Sequence, residues 1–225
     1  MKIAVVYTGI TPELRQMVDA ALARELAGRE PEILSFSDPS IIQEANEAGR
    51  VTHGCARRLM DLYEQAADAG ARVLLNACSS VGEVAKAAQP LYAMTGVRIV
   101  RIDEGMAMDA ARRFRRIGVV ATLRSTLEPT KRLVLECAAR QGIEAEVVEA
   151  LAEGAFGLDR ERFKKKLIDA GRKISGSVDA LLFAQGSMAY AEKAVSEALS
   201  LPVLTSIGYG AAAVKAAVEK MELAD

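Results

Sequence analysis

The sequence predicts an α/β protein built from two similar lobes, each with a mainly parallel sheet. Strand-like apolar segments alternate with amphipathic helical segments along all 225 residues, and this alternation favours parallel sheets covered by helices. The chain also repeats itself. Residues 2–8 (KIAVVYT) resemble residues 116–122 (RIGVVAT), and residues 73–81 (VLLNACSSV) resemble residues 180–188 (ALLFAQGSM). Residues 96–102 resemble 200–206 less closely. We therefore expect a duplicated α/β unit, with strand ends facing each other across a cleft.

The predicted strands are short runs of Val, Ile and Leu with little alternation, as expected where helices cover both faces of a sheet. Their expected ranges are 2–7, 31–35, 72–76 and 98–101 in the first half, and 116–121, 145–149, 179–184 and 202–205 in the second. The amphipathic segments between them predict helices at 13–26, 54–67, 81–95, 106–114, 125–141, 160–175, 189–199 and 209–221. Gly154, Phe156 and Gly157 predict a mobile loop after the sixth strand.

Composition argues against several classes of function. The 29 basic and 30 acidic residues are scattered, and the one dense basic cluster, residues 112–116, fits a solvated helix end better than a nucleic-acid surface. No apolar run approaches the roughly 20 residues that cross a bilayer, and the first residues read as a strand rather than a signal peptide. Three scattered cysteines predict neither disulfides nor a metal site. We expect a cytoplasmic protein with no nucleic-acid or membrane partner.

Ligands of open parallel sheets bind beyond the carboxyl ends of the strands. The residues predicted there are Tyr7, Thr8, Gly9, Cys78, Ser79, Ser80, Thr122, Arg124, Ser125, Thr126, Gln185, Gly186 and Ser187. They include one thiol, many hydroxyls and one guanidinium group, without a metal-binding cluster. Hydroxyl groups and helix-start amides suit a small carboxylate.

Cys78 is the main candidate for chemistry because it follows a buried strand and precedes a helix. A helix N-terminus lowers a thiol pKa from about 8.5, which would make Cys78 a usable base or nucleophile. The alternative is a small buried packing residue, and that is how we interpret Cys55 and Cys137. The loop 122–126 (TLRST) fits carboxylate binding, with helix capping by Ser125 or Thr126 as the alternative.

Three further ionisable residues stay open, and a fourth, Glu83, does not. His53 fits acid–base work or a solvated helix cap. Asp103 either approaches the site or begins a helix, and Glu153 is an acid–base candidate in the predicted mobile loop. Glu83, in a first helical turn, is better explained by capping.

Over nearly its full length the chain resembles the aspartate/glutamate/hydantoin racemase superfamily, through the duplicated lobes, NACSSVGE around Cys78 and ATLRST as a carboxylate-binding loop. The resemblance implies two flavodoxin-like lobes related by a pseudo-twofold axis, formed by residues 1–98 with 206–225 and by residues 99–205. It further implies an active site between the lobes, no cofactor and a homo-oligomer. Family members commonly move the substrate's α-proton with two cysteines, one on each side of the acidic carbon.

The resemblance implies that Cys78 is the first thiol and that Thr8, Ser79, Ser80, Thr122 and Thr126 contact the substrate. The second thiol should stand at position 185, where this chain has Gln185. An amide neither gains nor loses a proton near neutral pH. The chain is therefore expected to be a racemase-like isomerase in which Ser187, Glu153 or water replaces the second thiol, a one-base lyase, decarboxylase or hydrolase, or a non-catalytic ligand-binding relative. Tyr7 suggests a substrate other than an amino acid.

Overall fold

A computed structural model describes residues 1–155 and 157–223 of the chain. Phe156, expected in a mobile loop, and the last two residues of the predicted first lobe lie outside the described residues. The chain divides into two compact units, which we call unit 1 (Met1–Ile102 with Ile207–Asp225) and unit 2 (Asp103–Ser206). The expected boundary between residues 98 and 99 would cut the strand Arg98–Arg101. The observed division follows Ile102, just after that strand ends.

Unit 1 contains a parallel sheet in the order β2-β1-β3-β4. Its strands are β1 (Lys2–Tyr7), β2 (Glu32–Ser37), β3 (Ala71–Asn76) and β4 (Arg98–Arg101). Its helices are α1 (Pro12–Glu25), α2 (Pro39–Ala48), α3 (His53–Asp68) and α4 (Gly82–Met94), and the last helix of the chain, α9 (Ser206–Glu222), also belongs to it almost entirely.

Unit 2 repeats this topology, with a parallel sheet in the order β6-β5-β7-β8. Its strands are β5 (Arg116–Ala121), β6 (Glu146–Leu151), β7 (Ala180–Phe183) and β8 (Val203–Leu204). Its helices are α5 (Glu104–Arg113), α6 (Arg124–Arg140), α7 (Arg160–Arg172) and α8 (Glu192–Leu199). The predicted α/β fold of two parallel-sheet lobes is confirmed.

Each unit has its own core around its central strands. β1 and β3 are buried along almost their whole length, because helices cover both sheet faces and leave no side for polar residues. On one face of unit 1, Ala4, Val6 and Leu74 pack against α3 and α4 side chains such as Leu59 and Ala85. This packing fixes the height at which each strand ends, and therefore the position of the residues that follow.

All eight predicted strands are present among the described residues, with ends shifted by at most two residues. The prediction missed α2, which begins with Pro39 after the Asp38 cap and ends before Gly49. The predicted helix at 189–199 is also different, because a 3₁₀ helix, Gly186–Ala191, precedes α8.

Candidate functional site

The first cluster of predicted site residues lies at the carboxyl edge of the sheet in unit 1. β1 and β3 are neighbours, with Val6 paired to Asn76, so the residues just after both strands emerge side by side. The amide of Ala77 continues the ladder by donating to the Val6 carbonyl at 2.9 Å. Cys78 follows in extended conformation and precedes a 3₁₀ helix, Ser79–Val81, that leads into α4. Cys78 is half-buried, whereas Cys55 and Cys137 are buried.

The Cys78 thiol differs from the sequence-based expectation. Burial raises its pKa, and this effect outweighs the opposing influence of the nearby Thr8 hydroxyl and of hydrogen bonds from the Ser80 and Val81 amides and the Ser80 hydroxyl. The helix-start amides therefore do lower the pKa, as expected, but desolvation of the thiolate is larger. The predicted depressed pKa is wrong for the unliganded protein, and Cys78 rests as a neutral thiol.

Buried hydroxyl groups without partners accompany the thiol. Among the described residues, the side-chain oxygens of Tyr7, Thr8 and Ser79 are buried and have no hydrogen-bond partner. Thr8 is fully buried and Ser79 is 5% exposed. A buried hydroxyl left unpaired costs about 1 to 3 kcal/mol, so these groups are open to hydrogen bonds from a polar ligand or a water molecule. Burial, and secondarily the charge of Asp19, raises the pKa of Tyr7, which stays a neutral phenol.

A buried polar chain supports the loop that carries Cys78. Asn76 donates to the Cys78 carbonyl at 2.8 Å and accepts from the Tyr63 hydroxyl at 3.0 Å. Arg101 pairs with Asn76 across the sheet, is 2% exposed and packs its guanidinium group against Gly82 at the start of α4. Sequence reasoning missed Tyr63 and Arg101, although an arginine at the end of the apolar run 99–102 (IVRI) was a usable signal.

The second cluster lies at the carboxyl edge of the sheet in unit 2 and repeats the arrangement of the first. β5 and β7 are neighbours, with Val120 paired to Phe183, and Gln185 precedes its 3₁₀ helix as Cys78 precedes its own. Gln185 Oε1 accepts hydrogen bonds from the Thr122 amide at 2.8 Å and from the Thr122 hydroxyl at 2.9 Å. The hydroxyl proton of Thr122 therefore already has a partner, and this side chain has no spare donor for a carboxylate.

The rest of the second cluster is less enclosed. Arg124 is exposed at the first position of α6, Ser125 is half-buried and Thr126 is 2% exposed. Leu123 is the residue before α6 and provides no side-chain cap. The alternative reading, capping by Ser125 or Thr126, does not fit because both residues lie inside the helix. Gly186 and Ser187 are half-buried in the 3₁₀ helix.

Three residues left open by the sequence have definite places. His53 is exposed at the first position of α3, where Thr52 caps the helix. Glu153 is exposed, and its carbonyl accepts from Lys166 Nζ at 3.2 Å. Asp103 is 1% exposed and comes just before α5. The structure therefore brings Tyr7, Thr8 and residues 78–80 together in unit 1. In unit 2 it brings residues 122–126 and 185–187 together.

Within residues 1–155 and 157–223, no group of three or more His, Cys, Asp or Glu side chains is arranged to hold a metal ion. None of the helices there is long and apolar enough to span a bilayer.

Comparison with known proteins gives one family and one fold. The family model described as Asp/Glu/Hydantoin racemase matches residues 4–217. No match was found among curated proteins. The chain is similar in structure to an allantoin racemase from Klebsiella pneumoniae, at 19% identity with a TM-score of 0.65, over 98% of this chain and 88% of that one.

Two other solved structures share the fold. A glutamate racemase from Bacillus anthracis has 14% identity and a TM-score of 0.72, with 97% of this chain and 81% of that chain covered. A putative Asp/Glu racemase from Yersinia pestis has 19% identity and a TM-score of 0.69, with coverage of 97% and 100%. At these identities the likeness concerns the fold, and the family match over nearly the whole sequence decides the classification. The chain belongs to the Asp/Glu/hydantoin racemase family.

Proposed function

We propose that the protein is a cofactor-independent, racemase-like isomerase of a small carboxylic acid or a related ureide, with Cys78 as the group that moves the substrate's α-proton. The observation that carries the proposal is the pair of unpartnered buried hydroxyls of Thr8, near the Cys78 thiol, and of Ser79, the next residue in the chain. A ligand rich in oxygen atoms would satisfy these hydroxyls. The same ligand would bring an acidic C–H bond to the sulfur.

The proton balance is simple. The Cys78 thiolate takes the proton from the α-carbon, which leaves a neutral thiol and an enolate. Inversion requires that water, or Ser187 resupplied with a proton by water, then protonates the enolate on the opposite face. The Cys78 thiol gives its proton back to water, which restores the starting state. The raised pKa helps in one respect, since a thiolate of high pKa is a strong base. Because the pKa is raised, the reaction also requires that the bound substrate favour the thiolate form of Cys78. The Ser80 and Val81 amides, which donate hydrogen bonds to the sulfur, favour this form.

The carboxylate of the substrate is proposed to bind Ser79 and Ser80, which follow Cys78. That Arg124, Ser125 and Thr126 also bind it remains a prediction. Tyr7 and Thr8 line the same place as the thiol. Ser187 or water is the proposed proton carrier on the second face, because Glu153 is exposed in the loop before α7. A homo-oligomer remains a prediction.

Isotope exchange tests this function. Candidate acids (amino acids, hydroxy acids, malonates and the ureide hydantoin) are incubated with the protein in deuterium oxide, and α-deuterium uptake and optical rotation are followed together. We expect uptake that falls by at least about 100-fold in Cys78→Ala, with Cys137→Ala as the matched control at a buried cysteine. Equal exchange by wild type and Cys78→Ala would refute the role of the thiol.

A one-base decarboxylase or lyase is the second candidate, and Gln185 favours it. If only one face carries a titratable group, exchange should outrun inversion, and a malonate should release carbon dioxide. Binding without exchange or turnover of any acid would favour a non-catalytic relative.

A further inference from the structure

The side-chain amide of Gln185 has a fixed orientation. A backbone N–H group can only donate, so the Gln185 atom 2.8 Å from the Thr122 amide must be the oxygen. The Thr122 hydroxyl donates to the same oxygen at 2.9 Å. The nitrogen of Gln185 is therefore turned away from Thr122. It has no hydrogen-bond partner within residues 1–155 and 157–223, and the side chain is half-buried.

The duplicated topology shows what this arrangement replaces. Thr8 and Thr122 stand at equivalent places after β1 and β5, and Cys78 and Gln185 at equivalent places after β3 and β7. In unit 1 the threonine hydroxyl lies beside the thiol and lowers its pKa. In unit 2 the same threonine uses both its donors to hold an amide that cannot titrate near neutral pH. One threonine assists a proton carrier, and the other orients a donor.

We propose that Gln185 binds an oxygen atom of the substrate through its NH₂ group and takes no part in proton transfer. The oxygen is an sp² acceptor, either a carboxylate oxygen or a ureide carbonyl. Gln185 thereby selects ligands that carry such an acceptor and disfavours those that present an ammonium group to it. The inference rests on the proposed function only for the identity of the substrate site, and it makes Thr122 a positioning residue.

Binding measurements separate this inference from catalysis. Malonate and hydantoin are titrated calorimetrically into Cys78→Ser protein, which retains the fold but should not turn over. Malonate represents the carboxylate acceptor and hydantoin the neutral carbonyl acceptor. Two substitutions at position 185 are then introduced in the same background. Gln185→Glu keeps an oxygen for Thr122 and replaces the donor with an acceptor, and Gln185→Met removes the donor without adding charge.

We expect Gln185→Met to weaken the better probe by about tenfold, and Gln185→Glu to weaken malonate by about 100-fold, because a repulsive charge is added to a lost hydrogen bond. Gln16→Met and Gln16→Glu, at an exposed position of α1, should change neither affinity. Thr122→Val, which keeps the backbone donor and loses the hydroxyl, should weaken binding several-fold.

Several outcomes would overturn the proposal. Unchanged affinity in Gln185→Met with a loss only in Gln185→Glu would reduce the effect to charge repulsion. Failure of the Cys78→Ser protein to bind either probe would remove the acceptor site. If Gln185→Met does not fold, the decision rests on Gln185→Glu with the neutral hydantoin: loss of binding supports the donor, and unchanged binding overturns it. Loss of binding in the position-185 variants, with normal isotope exchange in Cys78→Ala, would retain this inference and end the proposed function.

Discussion

Cys78 combines partial exposure with a raised pKa, and the two properties have opposite effects on its reactivity. Exposure should make it the fastest of the three cysteines with iodoacetamide, because Cys55 and Cys137 are buried. The raised pKa keeps the thiol protonated at pH values where a free cysteine has begun to ionise. Its alkylation rate should therefore keep rising through pH 8.5, about the ordinary thiol pKa. Mass spectrometry of the adducts against pH measures this, and a plateau near neutrality would contradict it.

The sign of this shift also has a consequence for stability. A thiol whose pKa is higher in the folded protein than in the unfolded chain binds its proton more tightly when folded. Its contribution to the free energy of unfolding is thus complete below the unfolded pKa and is lost as pH rises through the folded one. A ligand that binds only the thiolate form should instead stabilise the folded protein more as the pH rises.

Tyr63 tests the buried chain beneath Cys78. Tyr63→Phe removes the hydroxyl that donates to Asn76 and leaves a buried acceptor unpaired, so the free energy of unfolding should fall by about 1 to 3 kcal/mol. Urea denaturation measures the loss, and the alkylation rate of Cys78 should change with it.

Tyr92→Phe is the matched control, since Tyr92 packs edge-on against Tyr63 but donates to Glu64, an exposed residue that water can satisfy. Its cost should be smaller than that of Tyr63→Phe. An equal or larger loss in Tyr92→Phe would mean that the hydrogen bond to Asn76 contributes little.

At residue scale, the sequence identified the strand-end residues but not their pairing. The duplicated segments placed Cys78 and Gln185 at equivalent positions, because an apolar strand followed by small polar residues is a local pattern. The contacts of Thr122 with Gln185 and of Tyr63 with Asn76 join residues 63 and 13 positions apart. The direction of the Cys78 pKa also depends on burial by distant segments. No local pattern carries that information.

At the scale of elements, α9 has a close contact that its sequence does not reveal. A Cβ on Gly210 would lie 2.8 Å from Ile102 Cγ1 and 3.0 Å from Ile102 Cα, whereas Gly208, two residues earlier, has only the tip of Arg24 at 3.9 Å. Because backbone atoms cannot move aside, Gly210→Ala should lower the free energy of unfolding by about 1 to 3 kcal/mol. Gly208→Ala should be neutral or raise it by up to about 1 kcal/mol. Thermal unfolding compares the two, and a stabilised Gly210→Ala would show that α9 shifts freely.

Helix α2 is the element that the sequence-based prediction missed. The Asp38 side chain accepts from the Ser40 amide at 2.9 Å, Pro39 fills the first turn and Gly49 ends the helix in left-handed conformation. All three signals were present in the sequence. The helix is only 10 residues long and has two buried residues, Ile41 and Ala45. Its apolar periodicity was therefore weak, and only the capping residues in the sequence indicated a helix.

At the scale of the whole molecule, the duplication predicted the architecture well because both copies keep the same strand order. A repeated segment implies a repeated fold, even where the side chains have diverged. The pattern of charges along the sequence contributed little to predicting the fold. The basic residues of the cluster 112–116 form surface ion pairs: Arg112 and Arg113 with Asp109, and Arg116 with Asp179. These ion pairs agree with the interpretation of residues 112–116 as a solvated surface segment.

The return of α9 to unit 1 also sets an order of assembly during synthesis. Unit 2 is continuous in sequence, so all of it has left the ribosome once its last strand and a tunnel's length of chain have been made. Unit 1 lacks α9 until the residues that follow unit 2 have been made, and α9 contributes buried Val214, Val218 and Met221 and the partners of Arg29, namely Glu219 and Glu222. The lobe begun first is therefore the one completed last.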